Sequence, residues 1–188
     1  MTDSEIYDVC RGRTMFESYR WTTLRETLCD LTAYGVAGCL VEIGVHAGGI
    51  LGYMGLRYPD RKCFGYCRFD DGFPDVGPMD GSFSRGMMAY PLSNVQDWLS
   101  HIGATNVTLI KGDVHDTLNE PTTEQIALAI IDLNLYLPTK HALAWCRKHM
   151  ASRGVILVDD KDFSGVKLAL EESGLGWPNE GYMAKIKF

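Results

Sequence analysis

With 188 residues, 46% of them hydrophobic, the chain is long enough for one domain with a full core and too short for two comfortable ones. Its net charge of −6 and pI near 5.3 argue against an extended phosphate-binding surface, so nucleic acid is not an expected partner. No apolar run approaches the roughly 18 residues that span a bilayer. The first residues also lack the basic and apolar parts of an export signal, and the six cysteines form no Cys-x-x-Cys pair, so a reducing, cytoplasmic compartment is expected.

The first clear period lies at 14–34. There Met15, Phe16, Tyr19, Leu24, Leu28 and Leu31 recur at mostly three- and four-residue steps, which predicts a helix with one apolar face in an N-terminal helix region, 14–38. Residues 39–44 follow as a near-continuous apolar strand of the kind buried on both faces of a parallel sheet, with Glu42 as its anomaly. A helix at 48–58 stops at Pro59-Asp60, and 62–67 reads as a second strand. Residues 68–91 are rich in Gly, Pro, Asp and Met and show no period. A loop of that length is either a lid over a substrate or a disordered insertion.

Ser93 is positioned to cap a helix running through Val95, Trp98 and Leu99 to Gly103. A third strand at 106–111 is closed by Gly112-Asp113, a fourth at 126–132 ends on an acid, a helix is expected at 138–150 and a fifth strand at 154–160. The alternating lysines of 183–188 suit an edge strand. No internal repeat interrupts the order. The alternation predicts one domain over 1–188 of α/β class, a doubly wound, mostly parallel sheet with helices on both faces and its ligand crevice at the C-terminal ends of the strands.

The centre of that crevice is the stretch Val41-Glu42-Ile43-Gly44-Val45-His46-Ala47-Gly48-Gly49, a strand running into a glycine-rich turn and a helix. Gly44, Gly48 and Gly49 let the backbone turn sharply and let a ligand approach the first helix amides. The spacing Glu-x-Gly-x-x-x-Gly-Gly differs from the Gly-x-Gly-x-x-Gly that grips a pyrophosphate. S-adenosylmethionine fits it better than NAD or FAD, because its amino-acid end needs backbone partners and a carboxylate near its ammonium. His46 and His115 stand where they could face the crevice; His101, His141 and His149 fall on expected helices and read as surface residues.

Glu42, Asp113, Asp132, Asp159 and Asp160 all fall in or just after expected strands, so the fold would gather them at one crevice. Carboxylates about 4 Å apart repel by roughly 4 kcal/mol per pair at an effective dielectric near 20, so such a cluster needs protons or a cation. Oxygen-only ligands favour Mg²⁺, Ca²⁺ or Mn²⁺ over Zn²⁺.

Taken in order, five segments resemble the macrocin and mycinamicin type of sugar O-methyltransferases, metal-dependent class I methyltransferases of Rossmann-like fold. They are the 41–49 stretch, Gly72-Phe73-Pro74, the run 111–118 beginning Lys111-Gly112-Asp113, Ile131-Asp132-Leu133-Asn134-Leu135-Tyr136 and the run 154–160 ending Val158-Asp159-Asp160. The resemblance spans about 14–170. It implies that Glu42, Gly44, Val45, His46, Gly48, Gly49, Gly112, Asp113 and Asp132 line an S-adenosylmethionine site and that Asp132, Asp159 and Asp160 bind Mg²⁺ or another oxygen-preferring divalent cation. Asp132, or a nearby histidine, would take the proton of a small-molecule hydroxyl acceptor, a sugar or natural-product glycoside. A homo-oligomer is compatible with this reading.

The chain departs from the family pattern at four places. Cys67 or Arg68 stands where the family has the acid for the ribose hydroxyls, so either Asp70 or Asp71 substitutes or the cofactor sits differently. Asn134 replaces a second acid after Asp132, Leu137-Pro138 replaces Glu-Ser, and Lys161 replaces a tyrosine. These leave two alternatives: a catalytically degenerate methyltransferase fold that binds or regulates, and a nucleotide-dependent oxidoreductase with Arg68 against a 2′-phosphate.

Overall fold

The computed structural model describes residues 1–119, 124–178 and 181–188. Six strands, β1 (Cys39–Ile43), β2 (Cys63–Cys67), β3 (Val107–Lys111), β4 (Ile126–Ile131), β5 (Met150–Val158) and β6 (Ala184–Lys187), form one sheet in the order β3-β2-β1-β4-β5-β6. All neighbours are parallel except β5 and β6. The expected doubly wound α/β architecture is therefore observed. Chain order reverses between β1 and β4, which is where such sheets open a crevice.

Apolar runs account for the centre of the sheet. All five residues of β1 and all six of β4 are buried, so neither strand alternates polar and apolar positions, as expected for strands covered on both faces. On one face, α1 (Asp3–Cys10), α2 (Ser18–Ala33), α3 (Gly49–Arg57) and α4 (Leu92–His101) contribute Ile6, Trp21, Leu24, Leu28, Leu51, Met54 and Val95 to one core. On the other, α5 (Val114–Thr117), α6 (Tyr136–His149) and α7 (Ser164–Glu172) contribute Val114, Leu143, Trp145, Val166 and Leu170. No helix among the described residues is long and apolar enough to cross a membrane. Cys10, Cys39, Cys63 and Cys146 are buried free thiols, which pack as small hydrophobes.

The sheet register levels the strand ends. Ile43 of β1 pairs with Ile131 of β4, and Ile131 pairs with Val158 of β5. The ladder continues one residue further: Asp132 N–H donates to Ile43 O and Asp159 N–H to Ile131 O, both at 2.9 Å, while Gly44 N–H donates to Tyr66 O at 2.8 Å. Three chain crossings thus deliver Gly44, Asp132 and Asp159 to one level.

Several expectations need correction. The first periodic helix begins at Ser18, and Thr14 and Met15 lie outside it, with Met15 exposed and off the apolar face. An earlier helix, α1, escaped notice although its Thr2 and Glu5 form a reciprocal capping box. Ser93 does not cap α4. The cap position is Pro91, and Ser93 lies inside the helix. Finally β5 starts at Met150, earlier than expected, and ends at Val158, so Asp159 and Asp160 follow the strand.

The 68–91 segment has definite structure. Short 3₁₀ turns form at Phe69–Asp71 and Pro78–Asp80, and Phe73 closes the loop by donating to Met87 O at 2.8 Å and accepting from Gly86 N–H at 3.0 Å. Gly72 is required there: its φ is +59° and a Cβ would lie 2.4 Å from Gly86 O. Asp80 is buried and accepts from Tyr136 N–H at 2.9 Å, capping the start of α6 from 56 residues away. The loop is thereby tied to the helix that follows Asp132.

Candidate active site

A cleft opens at the β1/β4 switch point. Its lining includes Glu42, Gly44, Val45 and His46 from the first strand and turn, Cys67, Arg68 and Asp113 from the next two strand ends, and Asp132 to Leu135 after β4. Thr14 and Met15 reach it from the N-terminal segment, and Phe69, Gly72, Phe73, Pro74 and Met88 from the 68–91 loop. Backbone strain concentrates at the same place. Among the described residues six non-glycines have positive φ; His46, Phe69, Met88 and Asn134 line the cleft, and Asp160 stands beside Asp132. Such conformations cost of order 1–3 kcal/mol each and persist where the surroundings impose them, commonly at ligand sites.

The glycines divide into two groups. Gly44 has φ +106°, and a Cβ there would lie 1.8 Å from Asp132 O, so the turn after β1 and the end of β4 touch through a position that admits no side chain. Gly48 and Gly49 do not line the cleft. A Cβ on Gly48 would meet Val95 of α4 at 2.9 Å, and one on Gly49 would meet the carbonyls of Cys10 and Arg13 at 2.7 Å, so both let helices approach α3. Gly112 also lies off the cleft, with φ +152° and Thr117 too close to admit a Cβ.

On the β1 side, Glu42 is 3% exposed and its Oε2 has no hydrogen-bond partner. Burial, reinforced by the charge of nearby Asp132, pushes its carboxyl well above the usual range. His46 Nδ1 is also buried without a partner, and desolvation lowers the imidazole below its ordinary value, leaving the ring neutral against Tyr90 at 5.1 Å.

At the ends of β4 and β5, Asp132, Asp159 and Asp160 each offer a carboxylate oxygen, and these oxygens lie within 4.8 Å of one another. Ionised together at that spacing they would repel by about 3 kcal/mol per pair. Burial is the first cause that raises all three; neighbouring carboxylates add to it for Asp132 and Asp159, while Arg20 works against it for all three. Asp132 is driven well above the carboxylate range and Asp159 to about 6. Asn134 donates through Nδ2 to Asp160, so the replacement of the family's second acid supplies a donor where another charge would stand.

Arg20, which the sequence did not single out, reaches this triad from α2. Its Nη2 donates to Asp160 Oδ1 at 3.1 Å, and its Nε lies 2.8 Å from Asp159 Oδ1. Local pattern does not set Arg20 apart from the other charged residues of α2, Arg25, Glu26 and Asp30.

The β2/β3 side is arranged differently. Arg68 Nη1 donates to Asp113 Oδ2 at 2.7 Å and its Nε to Gly72 O at 2.8 Å. Asp113 also caps α5, accepting from His115 N–H at 3.0 Å; burial alone would raise its carboxyl, but the bonds from His115 and Arg68 outweigh it and hold it below the usual value. Asp70 does not line the cleft. It is exposed and accepts from Lys111 Nζ at 2.9 Å and from Leu92 N–H at 3.4 Å. His115 is exposed, yet His141 is not the surface residue expected, because its Nε2 is buried and its ring packs 4.8 Å from that of His115.

The chain matches the model of the family described as macrocin-O-methyltransferase (TylF) over residues 8–173. No curated protein sequence matches it. Among solved structures the fold is similar to the O-methyltransferase NovP, with 22% identity, a TM-score of 0.82 and coverage of 93% of this chain and 81% of that one. It is also similar to the calicheamicin methyltransferase CalS11, with 21% identity, a TM-score of 0.76 and coverage of 99% and 91%. TomG from Streptomyces achromogenes, an O-methyltransferase of tomaymycin synthesis solved in complex with SAM, shares 18% identity at a TM-score of 0.57, over 97% of this chain and 86% of that one. At these identities the structural likenesses speak for the fold. The family match extends over most of the chain and across every segment that builds the cleft, and this protein accordingly belongs to the macrocin-O-methyltransferase (TylF) family of O-methyltransferases.

Proposed function

We propose that this chain transfers a methyl group from S-adenosylmethionine to a hydroxyl of a sugar or natural-product glycoside, with Mg²⁺ or a similar divalent cation held by Asp132, Asp159 and Asp160. The observation that carries the reading is the convergence of three carboxylates, two of them shifted far upward, beside a cleft rooted at the β1 turn. The donor set fits the cation: three hard oxygen ligands, no thiolate or imidazole among them, and an excess of buried negative charge. When bound, the cation would neutralise that charge and acidify the acceptor hydroxyl.

The chain's own residues supply the rest. Gly44 and Val45 keep the turn backbone open to the amino-acid end of the methyl donor, and Glu42 presents a buried carboxyl beneath it. Asp113, fixed by Arg68 and His115, faces the adenosine side in place of the exposed Asp70. Thr14, Met15, Phe73 and Pro74 narrow the mouth and exclude water from the reacting groups. As the acceptor oxygen bonds to the methyl carbon and the sulfonium sulfur keeps the departing electron pair, the hydroxyl proton passes to Asp132 at the cleft.

Titration calorimetry with S-adenosylmethionine and S-adenosylhomocysteine tests the donor site, and absence of heat at millimolar ligand would sink it. Methyl transfer to glycoside acceptors, with and without chelator, tests the metal; undiminished transfer in excess chelator removes it. A second reading, a binding module without chemistry, draws on Cys67 and Arg68 at the end of β2 and predicts cofactor binding without turnover. The oxidoreductase alternative loses ground because Arg68, its 2′-phosphate partner, is engaged by Asp113 and Gly72.

A further inference from the structure

The contact between Arg20 and the acidic triad is incomplete. Arg20 Nε and Asp159 Oδ1 are 2.8 Å apart and both buried, Asp159 being 4% exposed, an ion pair of poor hydrogen-bond geometry. Permanent buried ion pairs satisfy their hydrogen bonds, since leaving such atoms unpaired forfeits what offsets their desolvation. Arg57 and Arg25 also reach an acid, Asp3, but those contacts lie at a more exposed site. At the triad, one guanidinium faces three carboxylates and fits one of them poorly. Beside it Glu42, 97% buried by its 3% exposure, has an unpartnered oxygen in the cleft.

We propose that Arg20 is a displaceable counter-cation: it occupies the Asp159–Asp160 pair in the metal-free protein and must release those carboxylates to a divalent cation. The proposal rests on the metal reading above and adds to it a competitor built into the chain. It also gives metal occupancy a structural reach. Arg20 lies in the first turn of α2, and the segment immediately before that helix supplies Thr14 and Met15 to the cleft while Arg13 Nε donates to Ala47 O in the turn after β1 at 3.1 Å. Loss of the Arg20 contacts loosens the attachment of that segment to the β5 end, so that the cation and the N-terminal wall of the cleft report on each other.

The test uses Mn²⁺ alone, without cofactor or acceptor, titrated by calorimetry and electron paramagnetic resonance into the whole protein and into Arg20→Met. Removing the competing charge is expected to tighten Mn²⁺ binding by about tenfold or more. In wild type, saturating Mn²⁺ is expected to speed amide hydrogen exchange at 14–24. Should Arg20→Met fail to fold, Arg20→Lys keeps the charge but loses the two-pronged reach, and tightening of threefold or more is the supporting result. Equal or weaker binding by the variants makes Arg20 an organiser of the ligands and overturns the proposal while leaving the metal site standing. If neither protein binds Mn²⁺ although both bind S-adenosylhomocysteine, the metal reading falls and this inference with it.

Discussion

The two halves of the cleft wall handle carboxylates in opposite ways. On the β2/β3 side each acid has its cation: Arg68 holds Asp113 and Lys111 holds Asp70, and both carboxyls sit below their ordinary values. On the β4/β5 side, among the described residues, Arg20 bonds Asp160 and meets Asp159 poorly while Asn134 donates to Asp160, and all three carboxyls are pushed up. Burial differs in the same sense. The end of β4 is enclosed on both faces, whereas β3 is an outer strand with partly exposed residues. Charge left uncompensated where desolvation is greatest is expensive, and on the metal reading proposed above a cation would offset it. The paired half works as scaffold for the ligand; the unpaired half is where the chemistry would be.

Breaking the junction between the halves should have the largest effect. Gly44→Ala forces a Cβ against Asp132 O at a positive φ and should cost at least about 3 kcal/mol of folding stability, read from urea denaturation. A fully stable variant would mean that the two strand ends are less tightly apposed than they are here.

The sign of the upward shifts predicts a pH dependence. A carboxyl whose folded value lies above its unfolded one binds its proton more tightly in the native state. The stability it contributes is present below about 4 and is lost as pH rises through the folded value. For Asp159, moving from 3.8 to about 6, the loss is at most about 3 kcal/mol, and Asp132 and Glu42 act in the same direction at higher pH. Their share of metal-free stability should therefore decline from pH 4 upward, and millimolar Mg²⁺ or Mn²⁺ should restore it above pH 6. Melting curves that show no metal-induced rise at pH 7.5 would count against the metal reading.

Asp159→Asn sharpens the comparison by removing one charge with little change of shape. The metal concentration for half-maximal methyl transfer should rise about tenfold, while the metal-free variant melts at the same temperature or higher, because repulsion is relieved. Smaller still is the expected loss on the paired side, where Arg68→Gln should cost about 1–2 kcal/mol by stranding the half-buried Asp113. Lys111→Gln, at an exposed pair, should leave the melting temperature unchanged.

Much of this site was legible in the chain because its signals are local. An acid inside the otherwise apolar run 39–44, and acids closing the runs 126–131 and 154–158, mark strand ends whatever the packing, and a parallel sheet brings such ends together. The glycine turn was legible as a turn, though Gly48 and Gly49 proved to serve the approach of helices to α3, a use that depends on what packs against them. Asp70 stood at a plausible place in sequence, but Lys111 and the start of α4 hold it at the surface.

The order of elements, the burial of the central strands and the supply of acids at their ends follow from local pattern, because apolar period and chain propensity act over a few residues. What tertiary structure alone decided is which charges meet. Arg20 and Asp160 are 140 residues apart, Asp80 and Tyr136 are 56 apart, and Arg68 and Asp113 are 45 apart. Coulomb and hydrogen-bond energies depend on separations of a few ångströms and on the water excluded around them, and neither quantity exists until the helices have settled on the sheet.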